Sequence, residues 1–103
     1  MKRSTLFGRL NQELEAFGRK AQWAIDDGKL QIELLRVRRK QDHVARDLGL
    51  LLHRRERGGE ADPRRIDALL LRLDDLGGEI GRLEAQLQEA KRRRAERQPA
   101  SSV

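Results

Sequence analysis

Apolar residues recur at steps of three and four along two stretches of the chain. One runs Ile66, Leu69, Leu73, Leu76, Ile80, Leu83, Leu87, and the other Leu30, Leu34, Val37, Gln41, Val44, Leu48, Leu51. That step pattern belongs to a helix that buries a narrow seam against another helix, as in a coiled coil. The two series are mirror images. Laid antiparallel, Leu51 falls opposite Ile66, Leu48 opposite Leu69, Val44 opposite Leu73, Gln41 opposite Leu76, Val37 opposite Ile80, Leu34 opposite Leu83 and Leu30 opposite Leu87, and the residue numbers of every pair have the same sum. The pattern therefore predicts an all-α fold, an antiparallel helical hairpin with a long first helix near residues 5–57, a turn at 58–62 and a second helix near 63–97.

Polar positions bordering the seams support that register. Residues flanking an antiparallel seam face their own kind on the partner helix, and here Lys40 meets Glu79, Asp47 meets Arg72, and Arg38 meets Glu84, all with opposite signs. Such exposed pairs contribute only about 0.2–1 kcal/mol each, so they specify alignment more than stability. Between the helices lies Arg57-Gly58-Gly59-Glu60-Ala61-Asp62-Pro63. Gly58 or Gly59 suits the left-handed residue that ends a helix, Asp62 suits the N-cap of the next one, and Pro63 suits its first position.

A second apolar stripe occupies the N-terminal third: Phe7, Leu10, Leu14, Phe17, Ala21, Ile25, Gly28, Ile32 and Leu35. At about 100° per residue it lies on the side of the first helix roughly opposite the hairpin seam. The first twenty or so residues project beyond the second helix, which leaves this face without a partner in the hairpin, and a stripe of this length is not expected to stay in water. A break at Asp26-Asp27-Gly28 would let residues 1–29 fold back as a third helix. A second copy of the chain, completing a helical bundle, or a lipid surface would cover the stripe instead. The stripe keeps its phase through Gly28, which favours one long helix and a homodimer through Phe7, Leu10, Leu14, Phe17, Ala21, Ile25, Ile32 and Leu35. On this reading residues 1–29 form an amphipathic extension, 30–97 the hairpin and 98–103 a disordered tail.

Composition narrows the picture further. Only Phe7, Phe17 and Trp23 are aromatic, while 39% of the 103 residues are charged, which leaves little for a globular core and suits an elongated helical object. The absence of cysteine excludes a disulfide framework and a thiolate metal site and fits a cytoplasmic protein. No signal-peptide core follows the basic start, and no apolar run reaches membrane-spanning length. The formal charge is +6, but residues 58–90 are acidic, with eight Asp and Glu against four Lys and Arg, and they answer much of the first helix's positive excess. The unanswered cations are Lys91, Arg92, Arg93, Arg94 and Arg97, before Pro99 stops the helix. Arginine forks match phosphate oxygens, so these five are candidates for binding nucleic acid or an anionic membrane in a salt-dependent way. No aromatic side chains interleave them for base stacking. Trp23, opposite Arg94 in the register, is placed for a cation–π contact.

The remaining polar groups do not assemble chemistry. His43 and His53 are ten residues apart, too far for two imidazoles to share a metal on one helix face. Asp74 and Asp75 fall on the exposed back of the second helix, and Glu79 flanks the seam, so none has a surrounding pocket to exclude water. No catalytic, metal-binding or cofactor-binding constellation is expected, nor a small-molecule substrate. Gly77, Gly78 and Gly81 weaken a helix by about 2–3 kcal/mol together relative to alanine, which points either to a closely approaching partner or to a locally weak helix opposite Gln41. Leu50 and Leu71 are surplus to the seam.

The Gly28-Lys29 start, the Ile32-x-x-Leu35 step and the Asp47-Leu48-Gly49 stretch resemble small, mostly uncharacterised bacterial coiled-coil proteins. That resemblance implies a coiled-coil fold and assigns no functional residue. The use of arginine over lysine, eighteen against five, suits a high-GC bacterial genome. The expectation is a non-enzymatic interaction or assembly module, with electrostatic attachment to nucleic acid or an acidic membrane as the alternative.

Overall fold

The computed structural model describes residues 2–97, with side chains from Leu6 onward; the tail expected at 98–103, with Pro99, lies outside the described residues. Two helices make up the fold, α1 (Lys2–Glu56) and α2 (Pro63–Arg97), packed side by side and antiparallel, and no strand occurs among the described residues. The described chain is a rod of 86 × 21 × 19 Å. Its length is that of α1, since 55 helical residues span about 82 Å at about 1.5 Å each. α1 begins at Lys2 and ends at Glu56, slightly earlier at both ends than the sequence pattern implies. It passes through Asp26, Asp27 and Gly28 unbroken, so the N-terminal segment does not return as a third helix.

The chain reverses through the hydrogen bonds that its glycines permit. Gly58 takes φ of 85°, a left-handed conformation that a side chain disfavours. Its amide donates to the carbonyl of Arg55 at 3.1 Å, and the amide of Gly59 donates to the carbonyl of Arg54 at 2.9 Å, the paired closure of a Schellman cap. Gly59 is required for a different reason: a Cβ there would stand 2.6 Å from Cγ of Arg54. At the other side of the turn the Asp62 carboxylate accepts from the Arg64 amide at 3.0 Å, so Asp62 is the N-cap and Pro63 the first helical residue.

Packing follows the two mirror-image seams. The six buried apolar side chains, Leu34, Val37, Leu48, Ile66, Leu76 and Leu87, are all seam residues, and Val37 and Leu76 are only 2% exposed. The other eight seam positions are half-buried, Gln41 included. Arg38 reaches across to Glu84 with Nη2 to Oε1 of 2.7 Å, as the register requires. Lys40 with Glu79 and Asp47 with Arg72 do not close into ion pairs; all four are exposed, and solvation of long side chains at a surface competes evenly with pairing.

The sequence reading missed the contact that closes the open end of the hairpin. The seam continues past Leu30 to Asp27 and Trp23, and past Leu87 to Ala90 and Arg94, and all four residues are half-buried. Arg94 folds back along α2, its Nε donating to the Ala90 carbonyl at 3.2 Å, and its Nη2 bonds the carboxylate of Asp27. These side chains are 25% and 16% exposed, the most enclosed ion pair of the described residues. Ala90 opposite Asp27 leaves room for the guanidinium to pass. Arg94 thus directs its charge to Asp27, and Trp23 lines the groove beside it.

Candidate association surface

α1 is apolar on two opposed sides, and only one of them faces α2. The other carries Phe7, Leu10, Leu14, Phe17, Ile25, Ile32 and Leu35, each between 52% and 71% exposed. Ala21, in the middle, is half-buried by its own helical neighbours. The stripe is straight because the helix beneath it is continuous, and it covers residues 7–35, about 42 Å at about 1.5 Å per residue. Leu6 borders it and is equally exposed. Beyond Leu35 the same helical side turns cationic, with Arg36, Arg39, Lys40 and His43 around the end of the stripe. The structure therefore brings the expected interface residues onto one face and supplies no cover for them.

The basic cluster looks different from its sequence. Arg92 is held between Glu89, at 2.7 Å, and Glu96, at 2.5 Å, and Arg93 contacts Glu89 at 3.1 Å. Hydrogen bonds from Arg92 and then Arg93 lower the pKa of the Glu89 carboxyl below its ordinary value, and the Glu89 carboxylate raises that of Arg92. With Arg94 bound to Asp27, Lys91 and Arg97 are the two cations of the five that form no ion pair among the described residues. Intrahelical carboxylates one turn away thus occupy the forks that a phosphate would need. The signal was present in the sequence, since Glu89 and Glu96 stand three or four residues from these arginines.

The other candidates stand apart from one another. His43 and His53 are both exposed, as are Asp74, Asp75 and Glu79, and no group of three His, Asp or Glu placed to hold a metal occurs among the described residues. A Cβ at Gly77 or Gly81 would meet nothing within 4 Å, and one at Gly78 only Nη1 of Arg82 at 3.6 Å. Nothing inside the hairpin needs these glycines, and α2 runs through them without a break. Leu50, Leu70 and Leu71, near the turn, are also exposed. No helix is long and apolar enough to cross a membrane among the described residues. Comparison with known protein families, curated proteins and solved structures finds no match.

Proposed function

We propose that this chain is a non-enzymatic helical assembly module: a coiled-coil hairpin that dimerises with a second copy through the free face of α1. The observation that carries the reading is the row of seven large apolar side chains, more than half exposed, on a continuous helix opposite the hairpin seam. If each exposes roughly 100 Å², the stripe offers at most about 700 Å² per chain. Two such faces together reach about 1,400 Å², within the range of about 1,200–2,000 Å² for specific interfaces. Attachment to nucleic acid or lipid through the C-terminal cations has less behind it, because Arg92, Arg93 and Arg94 already face carboxylates.

Sedimentation equilibrium of the intact chain and of a Leu14→Asp, Phe17→Asp variant tests the proposal. The expected result is a dimer for the wild type at tens of micromolar and a monomer for the variant, with unchanged helical content. A wild type that stays monomeric rules the homodimer out.

A further inference from the structure

The stripe on α1 has an internal symmetry that specifies how a second copy lies on it. From Phe7 to Leu35 its steps run 3, 4, 3, 4, 4, 3, 4, 3, the same read in either direction, with Ala21 at the centre. We propose that two copies pack α1 against α1 antiparallel, with the two-fold axis at Ala21. This rests on the self-association reading above. Phe7 then lies level with Leu35 of the partner subunit, Leu10 with the partner's Ile32, Leu14 with the partner's Gly28, Phe17 with the partner's Ile25, and Ala21 with itself.

A symmetric dimer needs each contact to be made twice, residue i to j and j to i, and this register makes all nine positions do so. A regular heptad would allow several such registers. Here the two successive steps of four around Ala21 interrupt the heptad, and sliding one helix by seven residues sets that interruption against a regular stretch of the other. Only a register centred on Ala21 places both interruptions at one level, where the small alanine allows the closest approach of the two backbones. The layers also balance in volume, because Gly28 receives Leu14. A parallel dimer would set Gly28 against Gly28 and Phe17 against Phe17.

Charge disfavours the parallel alternative. Past Leu35 the stripe's direction along α1 continues through Arg39, His43 and Arg46. Parallel helices would align each of these with its own copy, and facing like charges are unfavourable. Antiparallel helices centred on Ala21 do not set these residues against their own copies. α2 does not obstruct this, since it packs on the opposite side of α1.

The chain has no cysteine, so single introduced thiols report the geometry directly. Under mild oxidation the Ala21→Cys chain should cross-link to itself. Leu10→Cys alone and Ile32→Cys alone should stay uncrosslinked, and an equimolar mixture of those two should yield the mixed dimer. Leu10→Cys and Ala21→Cys lie on the exposed face, so the hairpin fold is not at stake in either. Self-cross-linking of Leu10→Cys as efficiently as Ala21→Cys indicates a parallel dimer and overturns the proposal, as does a dimer in which Ala21→Cys fails to cross-link. A wild-type chain that sediments as a monomer defeats the self-association reading instead, so the two failures are distinguishable.

Discussion

Replacing Leu76 by alanine tests whether the seam of the hairpin is its stabilising core. Leu76 is 2% exposed and lies at the level of Gln41, the one polar seam residue in its half of the rod. A buried Leu→Ala change costs about 2–5 kcal/mol, the transfer of the lost carbons plus the cavity left behind. A two-helix rod has water on either side of its seam and collapses more readily than a closed core, so the lower part of that range applies, about 2–3 kcal/mol. At about 4–8 °C per kcal/mol for a domain near this size, the melting temperature should fall by about 8–24 °C. The assay is thermal and urea unfolding followed by far-ultraviolet circular dichroism, in the Leu14→Asp, Phe17→Asp background so that association contributes nothing. Leu71→Ala, at a side chain 65% exposed on the same helix, is the control and should change stability by less than about 0.5 kcal/mol. If the two variants melt together, burial along the seam does not hold the hairpin and the register reasoning fails.

Two further outcomes are expected. Converting Gly77, Gly78 and Gly81 to alanine should stabilise the chain, by up to about 1 kcal/mol per site, because each Cβ enters open space or touches only the tip of Arg82; a loss of stability or a changed oligomeric state on sedimentation would mean that a partner backbone occupies that face. Glu89 should titrate below the ordinary glutamate range in carboxyl-carbon NMR, and Arg92→Gln should raise it toward that range. Its carboxyl pKa is lowered in the folded helix, so its contribution is present above the ordinary glutamate pKa and disappears as pH falls through the lowered value. A Glu89 carboxyl that titrates in the ordinary glutamate range in the wild type would contradict the Arg92–Glu89 contact.

Much of the fold can be read from residue spacing, because a helical hairpin is determined by one-dimensional information. The seam series, Gly58 at the cap, Asp62 at the N-cap and Pro63 behind it each follow from local rules, and the structure places them accordingly. The surface pairs were legible only in part. Arg38 and Glu84 meet, while Lys40 and Asp47 remain with solvent, since at an exposed position the difference between pairing and hydration is smaller than sequence signs can resolve. Arg94 was placed in register opposite Trp23, but its pairing with Asp27 escaped notice because a carboxylate was not sought on a seam, although the steps from Trp23 to Asp27 to Leu30 continue the pattern. The free stripe was visible, yet any method that sums apolarity around α1 loses it, because its two opposed apolar sides cancel.

The contacts of the hairpin form a graded series in loop length, and this orders its folding. Leu51 and Ile66 are joined by a short loop already bent by the Gly58 cap, whereas Asp27 and Arg94 are 67 residues apart. Closing the longer loop directly costs about 1.3 kcal/mol more entropy than closing the shorter, so seam pairs form outward from the turn, each shortening the loop for the next. The Asp27–Arg94 ion pair closes last and opens first. N-terminal to Lys20, α1 is a single helix with no neighbour in the hairpin, and at roughly twenty residues such a helix is marginal in water on its own. Amide exchange should therefore be slowest beside the turn and fastest before Trp23. Only the covering of the stripe would slow it there, which makes the order of that arm a readout of whether a partner is present.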